Sequence, residues 1–389
     1  MTIEIPEALR TRELIDTTDD PRQVALSIPD LSQPVRARVR WALQVAQLAP
    51  SIHNTQPWRW RVYAPADGAA SIELHVDAGR HLPALDPDGR QQEISCGCAL
   101  GALLVGLGAA GLAGATELGP ADVPGVLARV TVSDAHVKSA AAIEALAALR
   151  TRRSARGFFS AEPVPNRLIA ELARNAAAHG VAADPVGATE EERDALDHLV
   201  ALATLIQYEG EAVPAEVRSW TRDEGDPRRD GVPSFAWERT SRQTADGAIV
   251  LRDFAADRPV PGAAEHPEAE PYPALLLLST WEDGRVAHVQ TGLALLDVLV
   301  AVERAGMAVG YVNQAIEDPG TRARLSREMR TPGSAQMLLR IGRAVGYHDQ
   351  RVARRPLVEV LDVATVPLPV RVPRSAPAAE RPSAARRPT

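Results

Sequence analysis

Among its 43 basic residues the chain of 389 has a single lysine, Lys138. That scarcity removes chemistry. A phosphate loop of the form G-x-x-x-x-G-K cannot exist, and a Schiff-base lysine is improbable. Cysteine is almost as rare. Cys96 and Cys98 stand one residue apart in "SCGCAL", which suits neither an ordinary disulfide framework nor, without a second pair, a zinc site. They read as two small core residues of a helix, and no metal is expected. There is no basic excess. The formal net charge is -7, so a face that reads nucleic-acid phosphates is not expected. The opening "MTIEIPEALRTRELIDTTDD" is acidic and lacks an apolar signal core. The longest apolar stretch, residues 99–115, is rich in Gly and Ala and shorter than the ~20 residues a bilayer needs. These absences predict a soluble cytoplasmic protein with no membrane partner.

What is present reads as an alternation of helices and strands, an α+β pattern. Apolar Val35, Val39, Leu43 and Ala46 recur three or four apart, which predicts a helix over 35–49 that Pro50 ends. Trp58, Trp60 and Val62 alternate with Arg59, Arg61 and Tyr63, as do Ile72, Leu74 and Val76 with their neighbours, which predicts a hairpin across "APADGAA". A long helix is expected from about 92 to 110 and a strand from Val126. A second unit opens at "LRTRRSARGFF", with a helix after Pro165. Residues 208–270 are charged, rich in Pro and Gly, and dotted with Trp220, Phe235 and Trp237. An irregular stretch of that length containing aromatics predicts an ordered lid. "ALLLLST" from Ala274 is a buried strand, residues 292–306 a helix, and "GMAVGYVNQAI" and "AQMLLRIGRA" contain two more strands.

The chain also repeats itself. "CGCALGALLVGLGAAGLA" from Cys96 aligns without gaps on "TGLALLDVLVAVERAGMA" from Thr291, matching Gly97 with Gly292, Leu100 with Leu295 and Gly111 with Gly306. The strand that follows repeats as "LARV" and "LLRI". Two copies of one α+β unit are therefore expected, with the lid inserted into the second.

Two motifs carry the chemistry. In "RTRRSARGF", Arg152, Arg153 and Arg156 surround Ser154. Guanidinium groups suit phosphate because each can donate two parallel hydrogen bonds. In "APSIHNTQPW", Pro50 and Pro57 restrict the backbone at both ends of Ser51, Ile52, His53, Asn54, Thr55 and Gln56. Ser51, Asn54 and Gln56 offer the donors and acceptors that read the edge of a planar heterocycle. His53 suits either an acid-base role or a cap on the preceding helix.

Together "RRSxRxF" and "APSxxNTQPW" resemble the FMN-dependent nitroreductase superfamily, and "AGMAVGYVNQAI", "LLRIGRA" and "VARRPLVEV" are similar to its later motifs. The order of the first two is reversed relative to that family, and each occurs once. "LDPDGRQQEISCGCAL" and "VRSWTRDEGDPRRDGVP" resemble the Acg-type FMN-binding proteins of actinobacteria. The resemblance implies a nitroreductase-like α+β fold of two fused pseudo-repeats, each with a mixed or antiparallel sheet flanked by helices. The expected parts are an N-terminal extension 1–34, a first half 35–148, a second half 149–368 with the lid at about 208–270, and a disordered tail 369–389. It implies one FMN between the halves. Arg152, Arg153, Ser154 and Arg156 would hold the phosphate and ribityl end, completed by Arg354 and Arg355. Pro50, Ser51, Ile52, His53, Asn54 and Gln56 would approach the ring from the other half. Val312, Asn313 and Gln314 would lie near its reactive edge, with backbone N–H groups at work. The flavin would carry the hydride, so no catalytic side chain is expected. NAD(P)H and a small electron acceptor would be the partners of an oxidoreductase. The alternative is a non-catalytic FMN-holding protein. The azoline-oxidase branch, which uses a lysine near the flavin, fits poorly with Lys138 alone. A chain that mimics a dimer is expected to act as a monomer.

Overall fold

The computed structural model describes residues 20–63, 70–157, 159–236, 252, 254, 274–345 and 351–363. The expected tail and Trp237 lie outside the described residues. In chain order the helices are α1 (Pro21–Val24), α2 (Val35–Ala46), α3 (Arg90–Ala109), α4 (Ala140–Thr151), α5 (Asn166–Ala177), α6 (Glu190–Tyr208), α7 (Ala212–Ser219), α8 (Arg285–Arg304), α9 (Gln314–Glu317) and α10 (Pro319–Glu328). The strands are β1 (Trp58–Tyr63), β2 (Ala70–Val76), β3 (Leu112–Leu118), β4 (Val126–Asp134), β5 (Ala182–Val186), β6 (Thr221–Arg222), β7 (Val232–Pro233), β8 (Ala274–Thr280), β9 (Ala308–Tyr311), β10 (Ser334–Gly342) and β11 (Leu361–Val363).

The expected hairpin is β1 with β2, antiparallel with Trp60 opposite Leu74. One sheet runs β11-β1-β2-β4-β3 and the other β5-β8-β10-β9. Setting aside β11, which joins parallel to β1, the two sheets have the same order: first strand, second, fourth, third. In each, a helix precedes the first strand (α2, α5) and a 20-residue helix (α3, α8) links the second to the third. The sequence repeat thus has a structural counterpart, and the chain is α+β with mixed and antiparallel sheets flanked by helices.

Burial follows the sequence pattern. Trp58 and Trp60 of β1 are fully buried, while Arg59 and Arg61 turn outward toward Asp362. The far side of that sheet is polar, with Arg129 bridging Glu73 and Glu117. The second sheet is covered on both faces. Leu276 and Leu278 of β8 enter the main core, and Leu275 and Leu277 pack under α6 and α9 with Leu199 and Ile316. A continuous apolar run is what a doubly covered strand requires.

Helices α3 and α8 pack on each other more extensively than any other pair of described elements. Both are long and apolar enough to span a bilayer, correcting the expectation that no stretch reaches that length. However, 83% and 72% of their apolar windows lie buried inside the protein. Their surfaces meet at Gly97 and Gly292. A Cβ on Gly97 would sit 2.3 Å from the Val289 carbonyl oxygen, and one on Gly292 2.1 Å from that of Ile94.

Where irregular chain was expected from 208 to 270, the described part is ordered as α7, β6, β7 and a 3-10 turn at Ser234–Ala236.

Candidate functional site

Pro34 and Pro50 frame α2, and the chain leaves it into a 3-10 turn at Ile52–Asn54. Three non-glycine residues here take left-handed backbone angles: His53 (φ 44°), Asn54 (φ 55°) and Gln56 (φ 50°). Such strain persists only where the surroundings over-determine it. They do so here. The Ser51 hydroxyl accepts from the Gln56 N–H at 2.9 Å, and the Ile52 N–H donates to Ser95 Oγ at 3.1 Å. Asn54 Nδ2 donates to the Gly231 carbonyl at 3.0 Å, and its Oδ1 accepts from Arg354 Nη1 at 3.0 Å. Gln56 Nε2 donates to the Arg229 carbonyl at 2.8 Å, and its Oε1 accepts from the Arg355 N–H at 2.7 Å.

The loop therefore divides by role. Pro50, Ser51, Ile52 and His53 line a cavity. Asn54 and Gln56 spend their polar atoms tying residues 229–231 and 353–355 to the loop.

The cavity lies between the two halves of the sequence. α3 contributes Ile94, Ser95 and Cys98, and α8 contributes Leu295. Ser154 and Arg156 line it from the arginine motif, which is threaded alongside β9: the Ala155 N–H donates to the Val309 carbonyl at 2.8 Å. Tyr311, Asn313, Gln314, Glu317, Met337 and Arg340 complete the far wall. Asn313 is committed: its Oδ1 accepts from the Leu338 N–H at 3.0 Å and its Nδ2 donates to Gln91 Oε1 at 3.3 Å. Val312 is a core residue whose N–H donates to the Leu338 carbonyl. It does not line the cavity, and its N–H is not free to meet a ligand, contrary to expectation.

Two cavity side chains carry unused capacity. Nδ1 of buried His53 and Nη1 of Arg252 are buried without a hydrogen-bond partner among the described residues. Burial first, then Arg252 and Arg156, hold the His53 imidazole well below its usual pKa, so it is neutral. Burial likewise pushes the Cys98 thiol up to about 12, which leaves it an inert thiol rather than a nucleophile.

Beside the cavity lies a concentration of arginine. The side chain of Arg351 donates to the Thr151 carbonyl, bringing the C-terminal segment against the arginine motif. Arg22 Nη1 and Arg354 Nη1 both donate to the Val352 carbonyl, at 2.9 and 3.3 Å. Arg152 is 6% exposed, yet its Nε and Nη1 have no hydrogen-bond partner among the described residues; the same holds for Nε of Arg354. The Arg354 pKa falls well below its usual value, through burial and then Arg22 and Arg152. Buried donors without acceptors cost free energy, and clustered like charges add to it. Arg153 belongs to the same group by its effect on Arg22. Arg355 does not: its guanidinium faces the Gln56 carbonyl at 3.2 Å and Glu359 at 3.1 Å, as a strut rather than an anion ligand.

The sequence reading missed Arg252 and Phe254, which reach the cavity from the chain between β7 and β8. The Phe254 ring meets His53 edge-on at 5.3 Å, and Arg156 lies over its face at 5.4 Å. Arg252 pairs with Glu317. Two of the three aromatics expected to cover the site lie outside the cavity lining. Trp220 packs near Leu82, Leu85 and Val217 and is stacked by Arg80 and Arg222, and neither it nor Phe235 lines the cavity. Arg22 was hidden in a string of acids, which gave no local signal for it.

No family model matches the sequence. Individual proteins do. "Putative NAD(P)H nitroreductase Rv3131" of Mycobacterium tuberculosis (strain H37Rv) is 33% identical over 340 residues, 85% of this chain and 92% of the relative. "Uncharacterized protein Rv3127" of the same strain is 30% identical over 332 residues, 84% and 93% of the two chains. "Putative NAD(P)H nitroreductase acg" is 27% identical over 329 residues, 84% and 95%. Likeness of this degree over 85% of the chain is not confined to one motif, and by it the chain belongs to the nitroreductase family.

Proposed function

We propose that the protein is an oxidoreductase that binds one FMN between its halves, 35–148 and 149–368, and passes electrons from NAD(P)H to a small acceptor. The observation that carries this reading is the pairing of a cavity with a buried arginine cluster in which Nε and Nη1 of Arg152 and Nε of Arg354 have no acceptor among the described residues. The residues fit the cofactor. A phosphate monoester supplies the acceptors that Arg152 and Arg354 lack, and Ile52, Ile94, Leu295 and Met337 offer apolar surface to a planar ring. Arg152, Arg153 and Arg354 would hold the phosphate, with Ser154 and Arg156 toward the ribityl chain. FMN, when bound, supplies the hydride-carrying ring. The chain's own part is to orient that ring, exclude water and present neutral His53, Tyr311 and Arg252 as hydrogen-bonding groups. The repeated strand order supports a fused pair of units acting as a monomer, with the second of two equivalent sites lost.

The test is quantitation of flavin released by heat from purified protein, then anaerobic addition of NADPH. One FMN per chain, bleached by NADPH, is expected; a flavin-free protein that takes up none would overturn the reading. Arg152→Ala should weaken FMN binding about tenfold to a hundredfold, the worth of one charge-assisted contact, read by fluorescence titration.

One observation favours a second reading, an FMN-holding protein with little turnover. Arg252 and Phe254 line the cavity that a nicotinamide would have to enter in order to stack on the ring. If they obstruct it, Phe254→Ala should speed anaerobic bleaching, since hydride transfer requires close stacking. Equal rates in both proteins would remove Phe254 as the obstacle.

A further inference from the structure

We infer that Arg22, on the short helix ahead of the first repeat, is a ligand of the phosphate in the arginine cluster, a role that rests on the flavin reading of the cavity. The argument is geometric. Arg22 and Arg354 reach the same carbonyl oxygen, that of Val352, at 2.9 and 3.3 Å. One neutral acceptor thus holds two guanidinium groups side by side, and the Arg351 side chain, bonded to the Thr151 carbonyl, brings Arg152 next to them. A carbonyl satisfies one donor of each cation and cancels none of the charge. Asp20 caps α1 through the Arg22 N–H at 3.0 Å and is exposed; among the described residues it is the one carboxylate among the leading influences on Arg22 and Arg354. Burial and the neighbouring cations lower the Arg22 pKa to about 10, so the group remains charged at neutral pH.

The arrangement is costly unless an anion sits among the guanidinium groups. A dianionic phosphate monoester offers enough acceptor oxygens to engage several forks at once. Arg22 comes from outside both repeats and so adds a contact that the "RRSxRxF" motif does not encode. Its fixed anchor on Val352 leaves the remaining donors of the fork for the phosphate.

The test compares FMN with riboflavin, which lacks the phosphate, by fluorescence titration of the full-length flavin-free chain. Arg22→Gln keeps a donor for the Val352 carbonyl and removes the charge; Arg22→Lys keeps the charge. The expected result is that Arg22→Gln loses about tenfold of the preference for FMN over riboflavin, while Arg22→Lys retains most of it. An unchanged ratio in Arg22→Gln overturns the inference. Equal weakening of both ligands also overturns it, since that marks a strut for residues 351–355. If the wild-type chain binds neither flavin, the cavity reading fails first, and inorganic phosphate still judges Arg22. A melting temperature raised by phosphate in the wild type but not in Arg22→Gln supports the assignment, and an equal rise in both defeats it.

Discussion

Gly292→Val should leave little or no soluble folded protein, the largest effect expected of any single substitution in the chain. The two long helices touch backbone to backbone there. A Cβ on Gly292 would lie 2.1 Å from the Ile94 carbonyl oxygen, 2.6 Å from Gly97 Cα and 2.7 Å from the Cys98 nitrogen. None of these is the end of a flexible side chain, so only separation of the helices relieves the clash. That separation opens the core shared by both sheets, because Leu100, Leu103, Leu296 and Leu299 all belong to it. Overpacking in a core costs about 1–3 kcal/mol where side chains can yield; with rigid backbone on every side the loss belongs to the exceptional class above about 4 kcal/mol. Gly292→Ala tests the same point more gently, since alanine gains about 1 kcal/mol of helix propensity and should still destabilise. Gly210→Ala is the control, because nothing lies within 4 Å of its added carbon. Soluble yield and thermal melting read the outcome. A Gly292→Ala protein that melts with the wild type would show that the helices do not cross this closely.

Glu317→Ala should destabilise by about 3–5 kcal/mol, the cost of stranding a buried charge. Glu317 is 5% exposed in its side chain and pairs with Arg252, itself 10% exposed. It also accepts from Gln207 Nε2 at 2.8 Å and Gln91 Nε2 at 3.3 Å. Removing the carboxylate takes a shared acceptor from one cation and two amides beside the cavity, leaving Arg252 the Gln207 amide oxygen at 3.3 Å and Gln207 the Gln314 carbonyl at 3.4 Å, neither of which balances the charge. The double variant Glu317→Leu with Arg252→Met should recover most of the loss, since a well-packed apolar pair is often as stable as a buried ion pair. Denaturant unfolding of the single and double variants measures both. A single variant within about 1 kcal/mol of the wild type would mean that water reaches Arg252 and that the pair is effectively a surface one.

The features legible in the sequence were those with strong local pattern. The β1 hairpin showed by alternation, the α5 helix by its stripe of Leu168, Leu172 and Ala176, and the paired long helices by their repeat. Weakly patterned elements did not show. Strand β3 reads "LAGATEL", and edge strand β5 reads "AADPV" with a proline, which an edge tolerates and a central strand would not. In the site, the arginine motif and the proline-framed loop were visible because each is contiguous. Arg22, Arg252, Phe254 and Glu317 were not, because each reaches the site through tertiary placement, with nothing local to mark it. Asn54, Gln56 and Arg355 resemble ligands by residue type, and only their hydrogen-bond partners reveal them as struts.

The crossing of α3 and α8 has a consequence for how such a protein can change. When two identical subunits meet about an axis, a residue on that axis faces its own copy, and every mutation is applied twice. Here Gly97 faces Gly292, and the two are encoded separately. A change can be tried on one side while the other stays fixed, so one half can accumulate a long insertion and an altered hairpin without imposing either on its counterpart. Among the described residues a long insertion lies between β5 and β8, and the strand β11 joins the first sheet but not the second. The flanks of the cavity differ accordingly: the strained loop forms a wall on one side, and Arg156 and Phe254 face it from the other.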